Sequence, residues 1–359
     1  MKELEKNPVK IKIMGVGGAG GNAVNRIVEA GQISGGVDII SVNTDLQVLR
    51  LSKAPINIQI GQKTTNGQGS GGKPEIGKKA AEESAETIKD LLVNTDLLFL
   101  TCGMGKGTGT GATPVIAKIA KELGILTVAV VTKPFKFEGP ERMKNAELGI
   151  SELRKYLDAL LLIPNDKFLE LYPYSSFTEM LYRIADDVLH KAVLSMWSVV
   201  TKPGYMNVDF ADVKNVLKDA GDIIMGIGSE NSYSENSLKK ALKTAFNNPL
   251  IDGNIEGAKK LLVNICGANV MTNDVVILGK YIEQYMDKNF TLFIGYVNSE
   301  EYQDKVEVTV IASGFSNTSK KKKQSSLLES VKKDTKISSE IGEEKKISIV
   351  RKGKLRVLK

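Results

Sequence analysis

From Gly103 to Gly111 every second residue is glycine (Gly-Met-Gly-Lys-Gly-Thr-Gly-Thr-Gly), with the apolar run Leu97-Leu98-Phe99-Leu100 before it and a helical pattern, Thr113 to Leu123, after it. The order reads as a strand, a loop and a helix. Without side chains in the way, successive backbone N–H groups of such a loop can crowd around an anion, and the helix N-terminus adds partial positive charge. The hydroxyls of Thr108 and Thr110 alternate with the glycines, which a plain chain reversal does not require. This chemistry suits a polyphosphate.

Two further loops share the character. Gly15-Val-Gly-Gly-Ala-Gly-Gly-Asn22 follows a short strand, Ile11 to Met14, and opens a helix; Gly67-Gln-Gly-Ser-Gly-Gly72 precedes a helical stretch from Pro74 to Leu92. The three loops hold 14 of the 34 glycines. Each lies behind a strand or ahead of a helix, where α/β sheets bind ligands at the C-terminal ends of their strands. Gly15, Gly17 and Gly20 also satisfy Gly-x-Gly-x-x-Gly, with Asp38 or Asp45 downstream as a ribose acid, so a dinucleotide dehydrogenase is one reading. Three phosphate loops exceed what one pyrophosphate needs, however. The P-loop pattern is absent because Gly107, not Ser or Thr, follows Lys106. A nucleoside triphosphate bound outside the P-loop class fits better.

With 359 residues and 42% apolar composition, the chain is expected to bury two domains and leave irregular ends. Its apolar runs fall far short of the roughly 20 residues that span a bilayer, and Met1 to Lys10 is too polar for a signal peptide, so a cytoplasmic protein is expected. Cys102 and Cys266 are too few for a disulfide framework and read as buried thiols. A net charge of +7 would point to nucleic acid if spread over the fold, but residues 316–359 carry 14 Lys/Arg against 5 Asp/Glu, which leaves the preceding 315 residues at −2. The basicity belongs to a Lys- and Ser-rich tail with little core-forming sequence, expected to be disordered, and no nucleic-acid partner is expected.

Along the body, β-rich runs at Ile11–Met14, Val37–Val42, Leu97–Thr101, Thr127–Val131 and Ala159–Ile163 alternate with helical patterns, the rhythm of a parallel sheet wrapped by helices. Ser176 to Val199 carries apolar residues at the i, i+3, i+4, i+7 spacing of one long helix with a buried face. A second α/β unit follows, with strand candidates Ile223–Ile227, Leu261–Ile265, Thr291–Tyr296 and Val306–Ala312. The expected division is a short N-terminus (1–10), a nucleotide-binding domain (11–175), a central helix (176–200), a smaller α/β domain (201–315) and the basic tail (316–359).

Gly103 to Pro114 resembles the signature of the tubulin superfamily. The segments Gly15–Asn22, Asn43-Thr44-Asp45, Thr127–Gly139, Ile163-Pro-Asn-Asp166 and Asn207-Val-Asp-Phe-Ala-Asp212 stand in the order found in the FtsZ family of cell-division GTPases, from about Ile11 to Gly314. The resemblance implies a GTPase that assembles head to tail and hydrolyses GTP where subunits meet, at the division site. Its partners would be itself, other cell-division proteins and membrane-anchoring adaptors reached through the tail. It makes 201–315 the part that activates the GTPase, and implies GTP or GDP with Mg²⁺ held mainly through phosphates and water.

The same resemblance assigns roles. Gly18, Ala19, Gly20, Gly21 and Asn22 of the first loop, and Gly105, Lys106, Gly107, Thr108, Gly109 and Thr110 of the third, would bind the nucleotide. Asn22 either adds a base contact or only caps its helix. Asp186 would read the guanine edge, because a carboxylate can accept from both N1–H and N2–H₂, and Tyr182 would pack on the purine. Without the resemblance, Asp186 and Asp187 read as a solvated helix stripe. Glu138, Arg142 and Asn165 would meet the ribose and phosphates. Asn207, Asp209 and Asp212 form the catalytic set, two carboxylates able to polarise a water or a hydrated cation; by local pattern alone Asp209 is a helix cap. About 14 helical residues separate Asp186 from Val199, roughly 20 Å, so these carboxylates reach the next subunit's phosphates most easily.

Three positions depart from the family pattern: Lys106 stands where glycine is usual, Thr113 where alanine is, and Lys73 where asparagine is. Lys106 either adds charge beside the phosphates or strains a loop that wants positive φ. The C-terminus, Lys345 to Lys359, lacks Asp, Pro and Phe and instead interleaves Ile, Val and Leu with Lys and Arg, which fits an anionic lipid, an acidic partner or a merely solvated tail.

Overall fold

A computed structural model describes residues 9–31, 33, 36–171, 176, 185–201, 209–231, 236–247, 255–268, 270–286, 289–298, 302 and 305–315. One ten-stranded sheet runs through them in the order β3-β2-β1-β4-β5-β6-β7-β10-β8-β9. Its first part is parallel: β1 (Ile11–Val16), β2 (Val37–Asn43), β3 (Ile56–Gln59), β4 (Leu97–Gly103), β5 (Leu126–Lys133) and β6 (Ala159–Pro164). The inner strands β4 and β6 form where apolar residues run nearly unbroken because both faces are covered, as parallel sheets require. β4 and β5 are buried along nearly their whole length.

The period of two in a strand divides the core cleanly. Ile11, Ile13, Leu97, Phe99, Val128 and Val130 face one side, where α1 (Gly17–Ala30) and α9 (Ala185–Thr201) pack. Met14, Val16, Leu98, Leu100, Ala129 and Val131 face the other, under α4 (Pro74–Glu83), α5 (Ala85–Leu92), α6 (Thr108–Glu122) and α7 (Pro140–Leu153). Short helices α2 (Leu46–Arg50), α3 (Gln62–Thr65) and α8 (Asp166–Leu171) complete this half. In α9 the expected buried stripe is present at Leu189, Ala192, Val193 and Met196, each at most 2% exposed.

The smaller unit continues the same sheet. β7 (Gly221–Glu230) pairs with β6 over only three residues, Ala159 with Gly221 to Leu161 with Ile223, then runs on antiparallel to β10 (Val306–Ser313). β8 (Lys260–Gly267) pairs antiparallel with β10 and parallel with β9 (Thr291–Val297). Helices α10 (Phe210–Leu217), α11 (Ser237–Phe246) and α12 (Thr272–Glu283) belong to this unit. Among the described residues no helix is long and apolar enough to cross a membrane. Cys102 and Cys266 are both buried and free.

Local boundaries differ from the periodicity reading in three places. The single stretch expected from Pro74 to Leu92 is two helices, broken at Ser84, whose hydroxyl accepts from the Gly61 N–H at 3.0 Å. α6 begins at Thr108, not Thr113, drawing the loop's own threonines into its first turn. The edge strand β3 has no apolar run to announce it: Asn57 and Gln59 alternate with Ile56 and Ile58.

Candidate functional site

The C-terminal ends of β1, β2, β4 and β5 open into a cleft of about 820 Å³ walled by all three glycine loops. That size suits a bound small molecule. Strand order reverses here, with β2 on one side of β1 and β4 on the other, which is where open α/β sheets hold ligands.

The loops interlock through close contacts that only glycine permits. A Cβ on Gly107 would stand 2.1 Å from Ser70 Oγ, and one on Gly109 would stand 2.7 Å from the Gly103 carbonyl. Between them the buried Thr108 hydroxyl meets Thr44 Oγ1 at 2.7 Å and Ser70 Oγ at 3.0 Å. This hydroxyl cluster ties the third loop to the second loop and to the end of β2. Asn43 sets the adjoining turn by accepting from the N–H groups of Thr44 and Asp45, and Asp45 in turn caps α2 through Gln47 and Val48.

Gly18 differs from the other loop glycines. No atom of the described residues lies within 4 Å of the place its Cβ would occupy, and its φ is not positive, yet it is exposed on the cleft wall. Nothing among the described residues requires glycine there.

Of the residues assigned from sequence, Gly18, Ala19, Asn22, Lys106, Gly107, Thr108, Gly109, Glu138, Arg142 and Asn165 line the cleft. Gly20, Gly21, Gly105 and Thr110 stand behind its wall. A Cβ on Gly20 would sit 2.3 Å from the Thr101 carbonyl, Gly21 faces Ser41, and Thr110, only 2% exposed, uses its hydroxyl to accept from the Gly105 N–H at 2.8 Å. Their work is to shape the loops. Asn22 does not cap α1, since that helix starts at Gly17 after Val16 and Asn22 lies in its second turn. Strain at Lys106 is likewise absent: the left-handed residue is Gly105, with φ of 106°, and Lys106 has no positive φ.

Across the cleft, Glu138 accepts from the Phe135 N–H and pairs with Arg142 one turn away. Asn165 is 8% exposed, and its Oδ1 has no hydrogen-bond partner among the described residues. A buried acceptor left so costs on the order of 1–3 kcal/mol, which a ligand hydroxyl at this wall would offset. Phe137, 53% exposed, stacks on buried Phe135 with centroids 4.9 Å apart and offers an aromatic surface to the cleft. Sequence reading left Phe137, Thr44 and Ser70 without a role. The second loop carried a glycine signal for Ser70; Thr44 and Phe137 lay inside segments that carry the family resemblance, Asn43-Thr44-Asp45 and Thr127–Gly139, without being singled out.

Tyr182 and Asn207 lie outside the described residues, as does the side chain of Asp186, although its backbone lies in the first turn of α9. Leu189 of that helix lines the cleft. Asp209 and Asp212 do not. They form a reciprocal cap on α10, in which Asp209 Oδ1 accepts from the Asp212 N–H at 2.8 Å and Asp212 Oδ2 accepts from the Asp209 N–H at 3.3 Å. The cap reading of Asp209 therefore holds whatever else it does. Asp209→Ala is expected to cost ~1 kcal/mol of stability and Asp209→Asn, which still accepts, much less. Equal losses in chemical denaturation would show that charge rather than the cap bond matters.

Among the described residues no three His, Cys, Asp or Glu side chains converge as a metal cage. Cys102 lies under the third loop, its thiol pushed up to about 12 by burial although Thr113 bonds it, so it stays protonated.

The sequence profile of the Tubulin/FtsZ family, GTPase domain, matches residues 10–173, and that of the FtsZ family, C-terminal domain, matches residues 221–316. The cell division protein FtsZ of Buchnera aphidicola subsp. Baizongia pistaciae (strain Bp) is 44% identical over 315 residues, 87% of this chain and 80% of its own. An FtsZ of M. jannaschii, solved as an empty dimer, superposes with a TM-score of 0.80 at 40% identity, over 87% of this chain and 90% of that one. CetZ2 from Haloferax volcanii, solved as a GTPγS-bound protofilament, shares the fold at 22% identity and a TM-score of 0.72, over 86% and 94% of the two chains. Glycine loops, cleft and sequence agree: the chain belongs to the FtsZ family of the tubulin superfamily, and residues 10–173 are its GTPase domain.

Proposed function

We propose that the cleft binds GTP and GDP, and that this protein assembles head to tail into filaments whose subunit contacts complete the hydrolytic site. The observation that carries the reading is the convergence of three glycine loops on one cleft in which Gly18 leaves open space. Backbone N–H groups from the starts of α1 and α6 would take the phosphates, as helix N-termini do. Arg142 and Lys106 supply cations, and Asn165 an amide for a ribose hydroxyl. Asp186 would read guanine and Tyr182 would cover it. Mg²⁺ would be held by phosphate oxygens and water, with the cleft's acidic side chains Asp45 and Glu138 already engaged in local bonds. When bound, that ion neutralises charge on the phosphates.

Catalysis in trans rests on distance. From Leu189 at the cleft to Thr201 at the far end of α9 is twelve residues, roughly 18 Å at about 1.5 Å each, and Asn207, Asp209 and Asp212 come after that end. A subunit would thus present its carboxylates to the phosphates held by its neighbour. Such a contact joins two different surfaces and need not close, so it propagates as a filament. In this reading 11–175 hold the nucleotide, 201–315 activate its hydrolysis across the contact, and the basic tail reaches partners that anchor the filament at the division site.

Strand order β3-β2-β1-β4-β5-β6 also matches a dinucleotide-binding sheet and favours a second reading, an oxidoreductase. The acids argue against it. Asp38 ion-pairs with Lys12 at the opposite end of β2 from the cleft, and Asp45 is committed to capping α2. Sedimentation decides between them: GTP, and neither GDP nor NAD, is expected to drive the protein into the pellet. A GTP-bound protein that stays in the supernatant at all concentrations would instead make it a non-assembling regulator of the same fold.

A further inference from the structure

We propose that Lys106 is an internal counter-cation for the bound polyphosphate, so that nucleotide binding by this protein survives loss of the divalent ion; the inference rests on the GTP reading of the cleft. Four charged side chains among the described residues line that cleft: Asp45, Lys106, Glu138 and Arg142. They sum to zero. With an uncharged residue at 106, the described part of the same wall would carry −1. Lys106 therefore offsets one of the two carboxylates that an incoming nucleotide meets among the described residues.

Its neighbours show that the ammonium is held in reserve. Arg142 is tied to Glu138, and Asp45 to two backbone N–H groups, whereas Lys106 is exposed and makes no hydrogen bond or ion pair with any described residue. The backbone on both sides is fixed by close approach: a Cβ on Gly105 would meet the Arg142 carbonyl at 2.9 Å, and one on Gly107 would meet Ser70 Oγ at 2.1 Å. Between two positions that cannot bear a side chain, the loop carries one long, flexible cation without positive φ. Thr108, the next side chain on the wall, spends its hydroxyl on Thr44 and Ser70. In the segment from Gly105 to Gly109, Lys106 alone among the described side chains has donors left for an anion. A lysine ammonium acts on phosphate as a compact point charge with three donors, and can share the neutralisation that a hydrated divalent ion provides.

Lys73 provides the control. It is exposed at the end of the second loop, its backbone nitrogen lies 2.9 Å from where a Gly107 Cβ would be, and it does not line the cleft. It samples the same general field without the same access.

The test is equilibrium binding of fluorescent GTP and GDP analogues to the full chain, in Mg²⁺ and in EDTA, for the unaltered protein, Lys106→Gln, Lys106→Arg and Lys73→Gln. In Lys106→Gln the Kd in EDTA is expected to rise at least about tenfold more than the Kd in Mg²⁺, one step of about 1.4 kcal/mol, and more for GTP than for GDP. Lys106→Arg should keep most of the unaltered behaviour, and the difference should shrink with added salt. Equal weakening with and without Mg²⁺ would mean a packing role, and no weakening would mean a solvated lysine. An effect of Lys73→Gln as large as that of Lys106→Gln would mean a diffuse field; each of these overturns the proposal while leaving GTP binding intact. Failure of the unaltered protein to bind either analogue in Mg²⁺ would instead overturn the GTP reading beneath it.

Discussion

Gly18→Val leaves the protein as stable as before and costs at least ~100-fold in GTP affinity, about 2.7 kcal/mol. The two halves of this expectation come from one geometric fact. A Cβ at residue 18 meets no atom of the described residues within 4 Å and the backbone there is not left-handed, so the described fold leaves room for a side chain. In the first turn of α1 the loss of glycine entropy is even mildly favourable. The new methyl groups would project into the cleft where phosphate oxygens approach the helix N-terminus. Gly20→Ala is the counterpart: its Cβ would stand 2.3 Å from the Thr101 carbonyl, so it should lower Tm whether or not nucleotide is present. Thermal unfolding with and without GTP separates the two. If Gly18→Val binds GTP like the unaltered chain, the cleft is not where the phosphates sit.

This contrast also marks how far the sequence could be read. That Gly15 to Asn22 forms a phosphate loop was legible, because the glycine spacing and the strand before it are local. Which glycine faces the ligand was not. Gly18 and Gly20 are equivalent in any pattern, and it is the approach of β4 and β1 to α1 that makes Gly20 a packing residue. The parallel strands were legible for a similar reason: burial on both faces leaves unbroken apolar runs such as Leu97–Leu100, whereas the edge strand β3 alternates with Asn57 and Gln59 and left no such mark.

The third loop shows the same limit in its hydroxyls. Thr108 and Thr110 stand out equally in the sequence, yet Thr108 turns toward Thr44, 64 residues earlier, while Thr110 turns inward to hold the Gly105 N–H. No periodicity carries a contact across that span. Helix onset was misplaced there for a tertiary reason too. Glycine and threonine are poor helix formers, and α6 starts at Thr108 because Gly109 and Gly111 let it press against the Gly103 and Pro74 carbonyls. Propensity pointed to Thr113; packing overrode it.

Asp212→Asn is expected to bind GTP normally and to lose turnover by ~100-fold or more, the scale of a positioned acid–base group. Asparagine keeps an acceptor for the Asp209 N–H, so α10 remains capped and the loss is one of charge rather than structure. Asp212 does not line the cleft of its own subunit, so on the proposed contact the defect would be delivered to the neighbour. Mixing supplies the decisive arm. Asp212→Asn has an intact cleft and a silent carboxylate, Gly18→Val the reverse, and in a head-to-tail contact one of the possible pairings joins an intact cleft to an intact Asp212. Turnover should therefore reappear in the mixture although each variant alone is inactive, and it should rise more steeply than linearly with protein concentration. Should the two variants co-sediment while turnover stays at the level of either one alone, Asp212 acts within its own subunit. The filament would then be a consequence of GTP binding and not the place where GTP is hydrolysed.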